Sequence, residues 1–117
     1  MPKDTPEQAA EKEKVLQSCL KVAAGGPIKM VEYIYEAIKL QEELVDISTK
    51  IIISDVGCGV QFLKAALYSA NLNVTVNLNS INDEEYVKEV SNRMAKLVAE
   101  GSVICDKVYA KVVDVLG

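Results

Sequence analysis

An all-α fold, a helical bundle of about four helices, is expected of this chain on three observations. Half of the 117 residues are apolar but only Phe and five Tyr supply aromatic surface, so Ala, Val, Leu and Ile packed in aliphatic seams must form the core. Apolar residues recur at steps of three and four almost throughout, the period of a helix with one buried face. Helix-start chemistry appears at intervals, at Thr5-Pro6-Glu7, at Ser54-Asp55 and at Asn82-Asp83-Glu84-Glu85. A chain of this length makes one domain, residues 1–117.

The first helix starts where Thr5 offers a capping hydroxyl, Pro6 loses no needed N–H and Glu7 faces the dipole. It is expected to run to about Ala24, with Gly25 and Gly26 ending it. Pro27 then opens a second helix, whose Ile28, Val31, Ile34, Tyr35 and Ile38 keep one face, fading near Val45. After STKIII, Ser54 is expected to cap a third helix with Asp55 in its first turn, while Gly57 and Gly59 allow a close neighbour. An alternative reads Ile51–Ile53 as a buried strand and SDVGCG as a phosphate-binding turn, but the third glycine and downstream acid of that motif are missing.

The stretch NLNVTVNLNS, residues 71–80, alternates polar and apolar without a fault, which is a strand signal. The helical register nevertheless runs straight through it, from Val60, Leu63 and Leu67 to Ala70, Val74, Asn77 and Ile81. Taken as helix, it sets Asn77 in the seam with Asn73 one turn earlier on the same face. Asn82 is expected to cap the last helix, with a long seam through Val87, Val90, Met94, Leu97, Gly101, Ile104, Val108 and Val115.

The net charge of −4 comes from acids and bases mixed along the chain, so neither nucleic acid nor an anionic membrane is indicated as a partner. No apolar run has membrane length. Cys19, Cys58 and Cys105 are odd in number, far apart and without metal-site spacing; they read as small core residues in a reduced, cytoplasmic protein. Histidine is absent, so any acid/base chemistry must use Asp, Glu, Lys, Tyr or Cys, and no metal site is expected.

Four short runs in order, MPKDTPEQ, PIKM, ISDVG and NVTVNLNSINDE, resemble the carboxy-terminal part of the formiminotransferase-cyclodeaminase and methenyltetrahydrofolate cyclohydrolase family. The resemblance covers nearly the whole chain. It implies a helical bundle that dimerises, with residues 71–80 helical, and a tetrahydrofolate derivative as substrate without a further cofactor. It also implies acid/base chemistry in one-carbon metabolism on a formimino or methenyl carbon, expelling ammonia or adding water. Family chains are longer and begin with a Gly/Ser-rich helical segment and an essential aspartate that this sequence does not show. The chain is therefore expected to be a fragment or short member, Met1 standing where an interior methionine would, completed by dimerisation or by an amino-terminal part and inactive alone.

On that resemblance Ser54, Asp55, Asn73 and Asn77 are the substrate-binding candidates, with no catalytic residue assigned. Each has a plainer reading: Ser54 and Asp55 as helix-start residues, the two asparagines as an interhelical hydrogen-bond pair. Lys3 is a candidate for the glutamate tail of folate or simply an exposed terminal lysine. The contrasting functional class is a non-catalytic helical assembly module. Expected subunit contacts are the Val87–Val115 seam or the small face at Gly57 and Gly59.

Overall fold

The computed structural model describes residues 5–117; Met1 and Lys3, singled out above, lie outside them. The described residues form three helices rather than four, α1 (Pro6–Ile47), α2 (Ile53–Leu78) and α3 (Glu84–Leu116), with no strand among them. They pack up, down and up into a bundle of 71 × 25 × 16 Å.

The missing break is at Gly25-Gly26-Pro27, where α1 runs on without interruption. Pro27 cannot donate to the carbonyl of Ala23, and an interior proline costs about 3 kcal/mol against alanine. Ala24, Ile28 and Val31 lie on either side of the stretch and are all buried in one stripe that continues to Ile38 and Val45. Burying each Val or Ile is worth roughly 1.5–3 kcal/mol, so continuity of the seam outweighs the local breakers. A Cβ added at Gly25 or at Gly26 would meet nothing within 4 Å, so neither glycine is demanded by packing.

At the start of α1 the expected cap is present. The Thr5 hydroxyl accepts from the Gln8 N–H at 3.1 Å, and the Gln8 amide oxygen accepts from the Thr5 N–H at 3.1 Å. The α2–α3 turn is held from α1. Gln17 donates to the Ser80 carbonyl at 3.2 Å and accepts from the Asn82 N–H at 2.8 Å, while the Asn82 amide donates to Glu13 at 3.1 Å. The cap of α3 is Asp83, not Asn82: it accepts from the Tyr86 N–H at 3.1 Å and pairs with Lys21 at 2.7 Å. The NSINDE run is thus accounted for by turn architecture.

The interior of the core is aliphatic, with Ile38, Val60, Leu67, Val74, Met94 and Val108 almost wholly covered. Two glycines bring α3 against its neighbours. A methyl at Gly57 would stand 2.8 Å from Val112 Cγ1, and one at Gly101 2.8 Å from Leu67 Cδ2. The Val87–Val115 seam closes this core from within: Val90, Met94, Gly101 and Val108 are buried, and only Val115 is exposed. Neither it nor Gly57 is free for another subunit. Cys105 is a core residue as expected, its thiol pushed up by burial and then by Asp106, but Cys19 and Cys58 are exposed. They sit on helix faces that the three-helix packing leaves uncovered.

Candidate functional site

Helix α2 carries all four candidate residues, and their placement follows from its start and its rotation. It begins at Ile53 because that side chain is 1 % exposed in the core, which draws the helix two residues ahead of the start expected from a cap at Ser54. Ile52 occupies the cap position without a side-chain bond, so Ser54 is inside the first turn and does not cap; Asp55 is in the first turn as expected. The strand–turn alternative fails here as well, since Ile51 and Ile52 form an exposed turn and Gly57 is a packed helix residue.

Of residues 71–80, expected to be helical throughout, 71–78 are helical and continuous with this start, while Asn79 and Ser80 form the turn that ends α2. The alternation is a coincidence of asparagines on a helix whose apolar residues Val74 and Leu78 face the core. Asn77 is half-buried rather than seamed, and its amide donates to the Asn73 carbonyl at 2.7 Å. Asn73 is exposed. The expected interhelical pair is thus replaced by a local i, i+4 pair along one flank of α2.

The structure unites Asn73 with Asn77 but keeps them far from the other two. At 1.5 Å per residue Asp55 and Asn73 are about 27 Å apart along α2, and Ser54 and Asn77 about 34 Å. Ser54 and Asp55 themselves open onto different grooves. Asp55 lines one of about 320 Å³ between α1 and α2 with Gln41, Leu44, Ser48, Ile52 and Val56. Ser54 lines one of about 310 Å³ between α2 and α3, walled by Cys58, Phe62, Tyr109, Val112 and Leu116. A larger hollow of about 610 Å³ runs along Gln8 to Cys19 on α1 alone, and none of the four lines it.

The groove at Asp55 contains a feature that the sequence pattern did not announce. Gln41 presents an amide oxygen that is buried and has no hydrogen-bond partner, 3.6 Å from the methyl position of Gly59. A buried acceptor without a partner is costly and calls for a donor from a ligand or another segment. Its only sequence signal is a polar residue one position round from the apolar face of α1. Asp55 supplies an exposed carboxylate and Ser48 a hydroxyl that donates to the Leu44 carbonyl, so the groove can accept donors and hold a proton at one carboxylate.

Comparison with known proteins supplies the rest. Residues 1–96 match the family model described as formiminotransferase-cyclodeaminase. A methenyltetrahydrofolate cyclohydrolase of Methylorubrum extorquens is 31 % identical over 96 % of this chain and 54 % of that protein. Formimidoyltransferase-cyclodeaminases of Gallus gallus and Rattus norvegicus are 30 % and 26 % identical, each over 86 % of this chain and 18 % of the relative. The chain thus spans about half the length of the first relative and a smaller share of the others.

Proposed function

Because the chain belongs to the formiminotransferase-cyclodeaminase family, we propose that it acts in folate-dependent one-carbon chemistry as one wall of a site for a tetrahydrofolate derivative. The observation that carries the reading is the similarity along almost the entire chain to a protein named for methenyltetrahydrofolate hydrolysis. Water addition to the methenyl carbon, or loss of ammonia from a formimino carbon, needs a positioned proton acceptor and donor. Here Asp55 is the carboxylate in the groove, and the Gln41 amide oxygen is free to accept an N–H of the ligand's pterin. Asn73 and Asn77 bind at a second point beyond the reach of Asp55 in the same copy.

A single carboxylate and an amide are not a complete acid/base set, and three helices with uncovered apolar faces do not close a cleft. The chain by itself therefore binds folate without turning it over, and its working form is an assembly. The exposed faces favour a second reading, a non-catalytic assembly module of the same family. Calorimetric titration with 5-formyltetrahydrofolate, a stable analogue, tests the first. Saturable binding weakened about tenfold or more by Gln41→Leu and by Asp55→Asn is expected, a tenfold loss being about 1.4 kcal/mol. No saturable binding up to millimolar analogue overturns the folate reading and leaves the assembly module.

A further inference from the structure

Near its middle, helix α1 carries the two poorest helix-forming residue types in direct succession, Gly25, Gly26 and Pro27. The glycines leave the backbone free, and Pro27 takes away one rung of the hydrogen-bond ladder, so the helix is weakest across this single turn. Packing does not ask for the glycines, since a methyl at either one meets open space. A turn that is weak without being crowded is suited to bending.

The two sides of this turn are held in different ways. Beyond it, Ile28, Val31, Ile34, Ile38 and Val45 are buried in the core. Before it, Ala24 is buried at the turn itself, but none of residues 5–23 is, and Leu20 is only partly covered against the core. This amino-terminal arm is fastened instead by polar bonds to the α2–α3 turn. Gln17 holds the Ser80 carbonyl and the Asn82 N–H, Glu13 holds the Asn82 amide, and Lys21 pairs with Asp83 and lies 5.0 Å over the Tyr86 ring. Water competes for solvated bonds of this kind, so they make a latch that opens far more readily than the buried stripe.

We propose that Gly25-Gly26-Pro27 is a hinge, and that residues 5–24 form a strap that swings away from the α2–α3 turn while the rest of the bundle stays closed. Helices α1 and α2 run antiparallel, with Gln41 beside Gly59 and Gln17 beside Asn82, which sets the hinge level with Asn73 to Thr75 and the strap level with Asn77, Leu78 and Ile81. Leu78 and Ile81 are buried at that end of the core and Asn77 is half-buried. Opening bares this end and the flank of Asn77. Gln41 and Asp55 lie on the other side of the hinge and keep their groove, so the strap controls access to the asparagine end of α2 alone. The hinge is a property of α1 and does not rest on the folate reading.

Distances between spin labels, read by pulsed electron paramagnetic resonance in the full chain, test it. The labels sit on Ala10→Cys of the strap and Glu89→Cys of α3, both exposed positions, with Cys19→Ser and Cys58→Ser; Cys105 is buried and stays unlabelled. Ala10 lies about 24 Å along α1 from Gly26, so a bend at the hinge moves its label by many ångströms. A short distance is expected to predominate, with a longer one whose population grows at least threefold when Gln17→Ala and Lys21→Ala remove the latch. Adding Gly25→Ala, Gly26→Ala and Pro27→Ala to the latch variant should abolish the longer distance at undiminished helical circular dichroism. One unchanged distance in the parent and in the latch variant overturns the hinge. So does a longer distance that survives the three alanines, which places the movement elsewhere.

Discussion

Replacing Gly57 with alanine should destabilise the bundle by about 1 kcal/mol, although alanine is the better helix former. The added methyl would stand 2.8 Å from Val112 Cγ1, 3.4 Å from its Cβ and 3.5 Å from its Cγ2. Val112 is 3 % exposed and, being β-branched in a helix, has one strongly preferred rotamer, so it cannot swing aside. Overpacking of this kind costs about 1–3 kcal/mol, and a middle value of about 2 exceeds the gain of about 1 from helix propensity. In a Val112→Ala background the obstacle is gone and the same change should stabilise by about 1 kcal/mol. The sign therefore reverses, with a coupling of about 2 kcal/mol between the two sites. Gly59→Ala is the control: its nearest neighbours, the Gln41 amide atoms, are 3.6 Å away, an ordinary contact, so propensity alone should act. Urea unfolding at fixed protein concentration, followed by helical dichroism, measures the four variants against the wild type. If Gly57→Ala raises the midpoint as much as Gly59→Ala does, the close approach of α2 to α3 is not real.

Pro27→Ala should stabilise α1 by up to about 3 kcal/mol, because it restores the N–H that the Ala23 carbonyl lacks; an unchanged melting midpoint would show that α1 is broken there in solution. The Lys21 hydrogen bond, and after it the Tyr86 N–H, hold the Asp83 carboxyl below its ordinary 3.8. Its folded-state value is thus the lower one, so its contribution is whole above about pH 4 and is lost as pH falls through the folded-state value. Asp83→Asn should flatten that acid limb in thermal unfolding between about pH 2 and 6, and an unaltered pH profile would refute the pairing.

The helical class and most of the buried face are legible in the chain alone. Period is a property of the chain: Val60, Leu63, Leu67, Ala70 and Val74 recur every three or four residues, and that register carries helix through the alternating asparagines against their strand propensity. The Thr5 cap and the acidic starts of α2 and α3 are local chemistry and equally legible. The number of helices is a matter of packing, since Gly25-Gly26-Pro27 breaks a helix locally and only the burial of Ala24, Ile28 and Val31 against α2 and α3 holds it together. Packing also selects which glycines are tight, Gly57 and Gly101 against Gly25 and Gly26, because that depends on what another helix places opposite. The candidate site divides in the same way. Ser54, Asp55, Asn73 and Asn77 are recognisable as residue types at helix positions, but the unpartnered amide of Gln41 beside Asp55, and the separate grooves onto which Ser54 and Asp55 open, exist only once α1 and α3 lie against α2. Spacing along a chain fixes which residues share a face; what that face meets is set by the neighbours folding brings to it.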